Sequence, residues 1–552
     1  MIADMNLRPA LTTHLLQRVR AFQEGFRHNL ALLGPPGIGK TFQLQQVMGQ
    51  LPEGMAAIYC PVYRESSRSF LTRLSSAILQ AGLDACGPRP ASLAAGIERL
   101  GAERSLETLL TAAQPCLPKT ADALRHVERL LNRRALADAF SSALDAVAQL
   151  NLELRRPGLF ILDEFLFLED LGFSHAFNEL GKRVMTWPST QFVLASSSPV
   201  RARRILRERF QLLFGQFELI TVDSLDASRV NTWMQWELRP LCGSNETLMP
   251  FLNWWLGPYP WYLHVLVRRL REQAALRQVT ELSEGLFLRA AWDVLGSADG
   301  PLYQWCVRRL EPLEHVVAGG RAVEALLQLA EGARTATAVG QRIGRGGLAQ
   351  ALETLSDYDL AQRTGTCWIV PDPVLRCWVS TVLSMHRAEA GWNPEQLRER
   401  LAEYLRGLWR AWIERSQRTL TEHVTELLTS FEDELVCLDE KTGRLPQFER
   451  IEPQSEPGYS GTFLLAEAEG RRWCYAIADE PVTEEGIVRF ETFCRSRQPK
   501  PVRKVLVASQ GLDENAKVLA KASNMWVWGA RELDVLRTLY HSTHELGAHA
   551  TR

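Results

Sequence analysis

The sequence predicts a multidomain α/β protein: an N-terminal domain with a parallel sheet, a helical lid, a winged helix and a C-terminal α/β domain. Three observations carry that prediction. The run Asn29-Leu30-Ala31-Leu32-Leu33 feeds a glycine-rich turn that opens directly into a helical pattern. Further apolar runs of strand length recur up to residue 222 with helical stretches between them, as parallel strands joined by crossovers require. Beyond residue 430 the pattern changes to short strands with turns. At roughly 150 residues per domain, the 552 residues suggest three or four domains.

Composition narrows the class. With 63 Lys+Arg against 64 Asp+Glu the net charge is −1, which argues against a uniformly basic nucleic-acid coat while permitting a basic patch. The ten cysteines form no CxxC pair, so neither a zinc ribbon nor a disulfide framework is indicated, and a reducing cytoplasm is expected. The start, MIADMNLRPALTTHLLQRVR, lacks the apolar core of a signal peptide, and no run of about 18 apolar residues is available to span a membrane.

The first strand leads into Gly34-Pro35-Pro36-Gly37-Ile38-Gly39-Lys40-Thr41 and then Phe42-Gln43-Leu44-Gln45-Gln46-Val47, which is GxxxxGK[ST] between a strand and a helix. The glycines let backbone N–H groups close around phosphates, and the helix turns its positive end toward them. Lys40 is expected to reach the β- and γ-phosphates of ATP, and Thr41 to ligate Mg²⁺. After the breaker Pro157, the run Gly158-Leu159-Phe160-Ile161-Leu162-Asp163-Glu164-Phe165 reads as a second buried strand ending in carboxylates. Asp163 is expected to hold Mg²⁺ and Glu164 to polarise the attacking water, a pair that favours hydrolysis over binding alone. A third run, Thr190 to Ala195, ends in Ser196-Ser197-Ser198, with Ser196 as the expected γ-phosphate sensor. Arg201, Arg203, Arg204, Arg207 and Arg209 follow on a helix.

These motifs, taken in order with Ala57-Ile58-Tyr59-Cys60 as a further strand and with Gly257-Pro258-Tyr259-Pro260-Trp261-Tyr262, resemble the archaeal-type ATPase family. That family is a branch of the signal-transducing STAND NTPases within the AAA+ class of P-loop NTPases. The resemblance implies that Pro260 packs near the nucleotide and reports its state to the lid. It also implies an arginine where this chain has Gln216, so Arg209 or Arg207 is left to act as the finger. Between Lys40 and Asp163 an additional helical region, about 84–156, reads as an inserted module.

The expected domains are a P-loop ATPase core, 1–222; a helical lid, 223–312; a winged helix, 313–388; a helical linker, 389–430; and a degenerate nuclease-like domain, 431–552. The winged helix rests on helices at Arg321–Glu331, Thr335–Ile343 and Gly347–Tyr358, followed by a short hairpin, with Pro371-Asp372-Pro373 resembling the family's ending of that domain. Its third helix is expected to carry Glu353, Asp357 and Asp359, where DNA readers usually present Arg, Lys, Asn or Gln. In the last domain, antiparallel strands at Thr462–Glu467 and Trp473–Ala478, a helix from Thr483 to Ser496, a strand at Lys504–Ser509, a helix from Asn515 and a strand at Met525–Trp528 resemble a restriction-endonuclease-like fold. That chemistry needs an Asp on one strand and Glu-x-Lys on the next. The chain offers Leu464 and Leu465, then Ala476-Ile477-Ala478-Asp479-Glu480, so a pseudonuclease is expected, with Glu467, Glu469 and Asp479 as the remaining acids. His541, His544 and His549 lie in the terminal tail and are assigned no metal.

The expectation is a Mg²⁺-dependent ATPase switch that cycles between ATP and ADP. Its partners are expected to be double-stranded DNA on a basic ATPase face (Arg201 to Arg209 with Arg268, Arg269 and Arg271), a protein, or further copies of the chain. A nucleotide-stabilised scaffold and an ATP-dependent nuclease are the alternatives.

Overall fold

The computed structural model describes residues 6–87, 105–210, 217–222, 225–239, 241, 247–387, 393–438, 441–454 and 461–540. The chain forms two compact units, residues 1–233 with 257–263, and residues 234–256 with 264–552.

The first unit is built on a five-stranded sheet of order β2-β3-β4-β1-β5, with β1 at Asn29–Leu33, β2 at Ala56–Pro61, β3 at Gly158–Asp163, β4 at Thr190–Ser196 and β5 at Phe217–Thr221. Every neighbouring pair is parallel. Parallel pairing needs crossovers, and the helices that supply them cover both faces. On β3, Leu159 and Ile161 point into one core with α1 (Pro9–Gln23) and α2 (Lys40–Met48), where Leu15, Val19, Leu44 and Val47 meet them. Phe160 and Leu162 point the other way, into a core with α3 (Ser67–Ala85), α4 (Leu106–Ala113), α5 (Pro118–Asn132) and α6 (Leu136–Leu154). The described helices of the region expected as an inserted module, about 84–156, therefore form a layer over one face of the sheet. Its Leu110, Leu124, Phe140 and Leu144 share a core with Phe160 and Phe192. Burying each such side chain is worth roughly 1.5–3 kcal/mol, so this layer is part of the unit's stability.

In the second unit, the segment expected as a linker contains a helix, Pro394–Ser416, that buries Leu397, Leu401, Leu405 and Trp409. Four-residue spacing puts them on one stripe, and Trp409 stacks on Phe251 at 5.9 Å. The segment is thus a packed element. Helices Gly319–Ala330, Ala336–Ile343 and Leu348–Asp357 precede a hairpin of β6 (Gln362–Thr364) and β7 (Cys367–Ile369), the element order predicted for a winged helix. The hairpin tip does not face solvent alone. Thr366 N–H donates to Leu435 O at 2.8 Å, and a Cβ on Gly365, at φ +70°, would meet Leu435 O at 2.1 Å. Nearby Arg334, only 10% exposed, pairs with Glu432 at 2.6 Å and Glu434 at 3.6 Å, and Tyr540 Oη donates to Glu434 at 3.0 Å. The hairpin is thereby committed to contacts inside the chain.

Leu435 lies on β8 (Glu434–Leu438), which pairs with β9 (Lys441–Leu445). Beyond them comes a mixed sheet of order β10-β11-β12-β13-β14: β10 Arg450–Gln454, β11 Thr462–Ala468, β12 Arg471–Ala478, β13 Arg503–Ala508 and β14 Trp526–Trp528. The first two pairings are antiparallel and the last two parallel. On β12, Trp473, Tyr475 and Ile477 enter the core formed with helices Leu420–Thr429 and Ala530–Tyr540, while Cys474, Ala476 and Ala478 enter the one formed with Glu484–Ser496 and Glu514–Ala522. The register opposes Glu467 to Arg472 and forms an ion pair there, so Glu467 and Glu469 sit at the β11–β12 turn while exposed Asp479 follows the opposite end of β12. These acids do not converge. Among the described residues no group of three or more His, Cys, Asp and Glu side chains is arranged to hold a metal, and no helix is long and apolar enough to cross a membrane. Gln216, His541, His544 and His549 lie outside the described residues.

Candidate functional site

In a parallel sheet all strands end at one edge, and binding groups gather there. The register sets Leu33 beside Ser196, Asp163 beside Ala195 and Pro61 beside Asp163, so the tips of β1 to β4 are neighbours. β1, buried along its length, releases the loop Gly34–Thr41. Gly37 at φ +74° and Gly39 at φ +97° occupy backbone conformations that other residues rarely adopt, which is why this turn is glycine-rich. A Cβ on Gly37 would also press on the Tyr262 ring at 3.2 Å.

Helix α2 begins at Lys40 with neither a capping side chain nor an acid in its first turn. Its leading N–H groups and positive end therefore favour an anion in front of the loop. Lys40 is 4% exposed. Its Nζ donates to Gly34 O at 2.8 Å, Pro35 O at 3.1 Å and Ser197 Oγ at 2.7 Å, with Glu164 Oε1 at 4.0 Å. Thr41, Ile38 and Phe42 follow from the same turn, with Ile38 buried, Phe42 half-buried and Thr41 exposed at the mouth. Thr41 Oγ1 donates to Asp163 Oδ2 at 2.6 Å, joining the loop to the tip of β3.

Asp163 is 3% exposed, and its Oδ2 also accepts from Tyr59 Oη at 2.9 Å, whereas its Oδ1 has no partner among the described residues. Burial, reinforced by the adjacent Asp163 carboxylate, raises the Tyr59 phenol far above its ordinary pKa, so it stays a donor. A hydroxyl, a buried carboxylate and one orphaned carboxylate oxygen fit the oxygen-donor preference of Mg²⁺. Glu164 follows in a left-handed conformation, φ 59°, which turns its side chain toward β4. Its carboxylate accepts from Ser197 N at 2.9 Å and from Ser197 Oγ.

The sequence reading placed the sensor at Ser196, but Ser196 is fully buried and its Oγ accepts from Ser198 N at 3.0 Å, closing its own turn. Ser197, one residue on, stands between Lys40 and Glu164. Arg209 is not brought into the cluster either. It follows α7 (Pro199–Glu208), whose rise puts it about 16 Å along the axis from Ser198. The basic face is partly engaged: Arg201 pairs with Glu169 at 2.5 Å and the exposed Arg203 donates to Thr221 at 3.2 Å, while Arg204, Arg207 and Arg209 are also exposed and Arg207 lies 3.9 Å from Glu208. Arg268, Arg269 and Arg271 belong to the second unit, where Glu272, Asp293 and Glu237 meet their charges.

Pro260 does reach the loop, its Cγ lying 3.9 Å from the position of a Cβ on Gly39, and Trp261 N–H donates to Gly37 O at 3.3 Å. Tyr262, fully buried, stacks on Tyr259 at 5.1 Å. On the other flank Arg8 donates to Ile38 O at 2.7 Å, and Asn6, Thr12 and Gln43 bond one another beside it. Tyr59, Ser197, Tyr262 and Arg8 were absent from the sequence-derived site.

No family model matches the chain, and no curated protein matches it. Solved structures do. The Walker-type ATPase of Pyrococcus abyssi is 15% identical with a TM-score of 0.44, over 67% of this chain and 95% of that one. ORC2 of Aeropyrum pernix, solved as ADPNP–ADP complexes, is 16% identical with a TM-score of 0.41, over 73% and 93%. The RuvB Holliday junction branch migration motor of Thermotoga maritima is 12% identical with a TM-score of 0.31, over 66% and 91%. The chain itself is multidomain α/β, with a parallel five-stranded sheet in its first unit and a C-terminal mixed sheet in its second.

Proposed function

We propose that the chain is a Mg²⁺-dependent switch that binds and hydrolyses ATP, akin to the archaeal-type ATPases of the STAND branch. One observation carries the reading: a buried lysine, an uncapped helix N-terminus and two carboxylates converge at the carboxyl edge of a parallel sheet. Gly34 to Phe42 wrap the phosphates, and Lys40 exchanges its carbonyl partners for phosphate oxygens. Thr41 and Asp163 would hold Mg²⁺, which when bound would supply positive charge against the transferred phosphoryl group. Glu164 orients the attacking water, and Ser197 fixes the Glu164 carboxylate and meets Lys40. Pro260 and Tyr262, resting on the loop, pass its state along the helix Pro260–Arg277. Arg207 and Arg209 are left to act on another molecule, a second copy or DNA.

Substituting Lys40→Ala is expected to lower ATP affinity at least 100-fold. Glu164→Gln should retain binding while turnover falls by 10²–10⁴-fold, the usual worth of a general base. Nucleotide titration and steady-state phosphate release measure the two. Unchanged turnover in both variants sinks the proposal. A second reading, a scaffold that binds ATP without turning it over, draws on the hold of Ser197 on Glu164. It predicts saturable binding with no phosphate release, with or without duplex DNA.

A further inference from the structure

We propose that Tyr59 is a positioning residue for the metal of this site, locking Asp163 Oδ2 so that Oδ1 is presented to the ion or its water. The proposal rests on the nucleotide-binding reading and deepens it.

An ionised carboxylate accepts through about four lone pairs, two on each oxygen. At Asp163 both sites on Oδ2 are filled, by Thr41 Oγ1 at 2.6 Å and Tyr59 Oη at 2.9 Å, while Oδ1 has no partner among the described residues although the side chain is 3% exposed. Leaving a carboxylate oxygen buried and unpaired is costly unless a ligand satisfies it. The asymmetry also fixes the carboxylate. With one donor the group can turn about its last bond and exchange its oxygens; with two donors from different elements, the loop–helix junction and β2, the orientation is set. Tyr59 lies opposite Ile161 in the β2–β3 register, two residues before Asp163, so the backbone ladder itself carries the phenol to the strand tip. Its ring packs against the core beneath, giving the hydroxyl a rigid support.

Groups that orient metal ligands in this way typically change metal affinity 10–100-fold when removed. A purely structural Tyr59 would instead disturb the loop, and with it nucleotide binding whether or not metal is present. The test titrates the full-length protein with a fluorescent N-methylanthraniloyl ATP analogue, first in EDTA and then across free Mg²⁺, for wild type, Tyr59→Phe and Lys40→Ala. Tyr59→Phe keeps the ring and deletes only the hydroxyl. Its metal-free affinity should stay within about twofold of wild type while the Mg²⁺ midpoint rises about 10–100-fold. An unshifted or lowered Mg²⁺ midpoint overturns the proposal, as does a loss of metal-free affinity equal to the loss in Mg²⁺. Absence of saturable binding by the wild type would instead overturn the nucleotide reading, and this inference with it. Matching thermal melts of wild type and Tyr59→Phe without nucleotide exclude misfolding as the cause.

Discussion

β3 and β12 are both interior strands, each buried along most of its length and each feeding alternate side chains into two cores. β3 ends in Asp163, buried and bonded to Thr41 and Tyr59, with Glu164 turned toward Ser197. β12 ends in Ala478 and releases Asp479 to solvent. Its parallel neighbour β13 and the strand beyond it, β14, end in Ala508 and Trp528, which are buried apolar residues. A strand core is interchangeable between a candidate site and a scaffold; the difference is made by the few residues at the strand's carboxyl end. In the first sheet those residues are polar, come from three strands and a helix start, and satisfy one another incompletely. In the second they are apolar or solvated.

The largest effect that sharpens this contrast is on stability. Trp528 is fully buried, packs on Phe431 and Tyr475, and its indole N–H has no hydrogen-bond partner among the described residues, so truncation loses packing alone. Trp528→Ala should cost about 3–5 kcal/mol in chemical denaturation. Nucleotide affinity of the folded variant should be unchanged, and a parallel loss of affinity would break the contrast.

A smaller effect separates two adjacent serines. Ser197→Ala removes a hydroxyl bonded to both a carboxylate and an ammonium, bonds worth about 1.5–3 kcal/mol each. If half of one such bond is specific to the transition state, phosphate release falls about threefold to tenfold. Ser196→Ala removes only a turn bond and should cost about 1 kcal/mol of stability with turnover within twofold. Equal turnover losses in the two variants would return the sensor to Ser196.

What the sequence disclosed follows the range of the interactions. The loop was legible because its glycines, lysine and threonine are adjacent and their conformational demands are local. Asp163 and Glu164 were legible as the end of an apolar run. Ser197 was not, because a strand's alternation fails at its last residue: Ser196 folds back to close the turn and passes the outward position on. Tyr59 looked like one more strand residue, since its partner lies 104 positions away. The same limit hid the covering role of α3 to α6 and the docking of the β6–β7 hairpin, where Gly365 reads as a turn residue until Leu435 is seen beside it. β8 escaped because it buries Glu434 and exposes Leu435, and β9 and β10 because exposed Lys441, Arg444 and Arg450 leave no apolar alternation to read.

The smallest expected effect is the most exacting, because it asks the second sheet to do nothing. Glu467 pairs with Arg472, and Asp479 lies seven residues farther along β12, about 23 Å at the usual strand rise. Carboxylates that share a metal must bring their oxygens within about 2.0–2.6 Å of it, so these two cannot join at one ion. The Glu467→Gln, Asp479→Asn variant should match wild type in nucleotide affinity and phosphate release. With supercoiled plasmid and Mg²⁺ or Mn²⁺, neither protein should nick above the blank. The half-exposed ion pair is worth at most about 1 kcal/mol, so the melting temperature should scarcely move. Cutting by the wild type that the variant loses would mean that the second sheet also gathers a site, and that the contrast between the two strand ends is wrong.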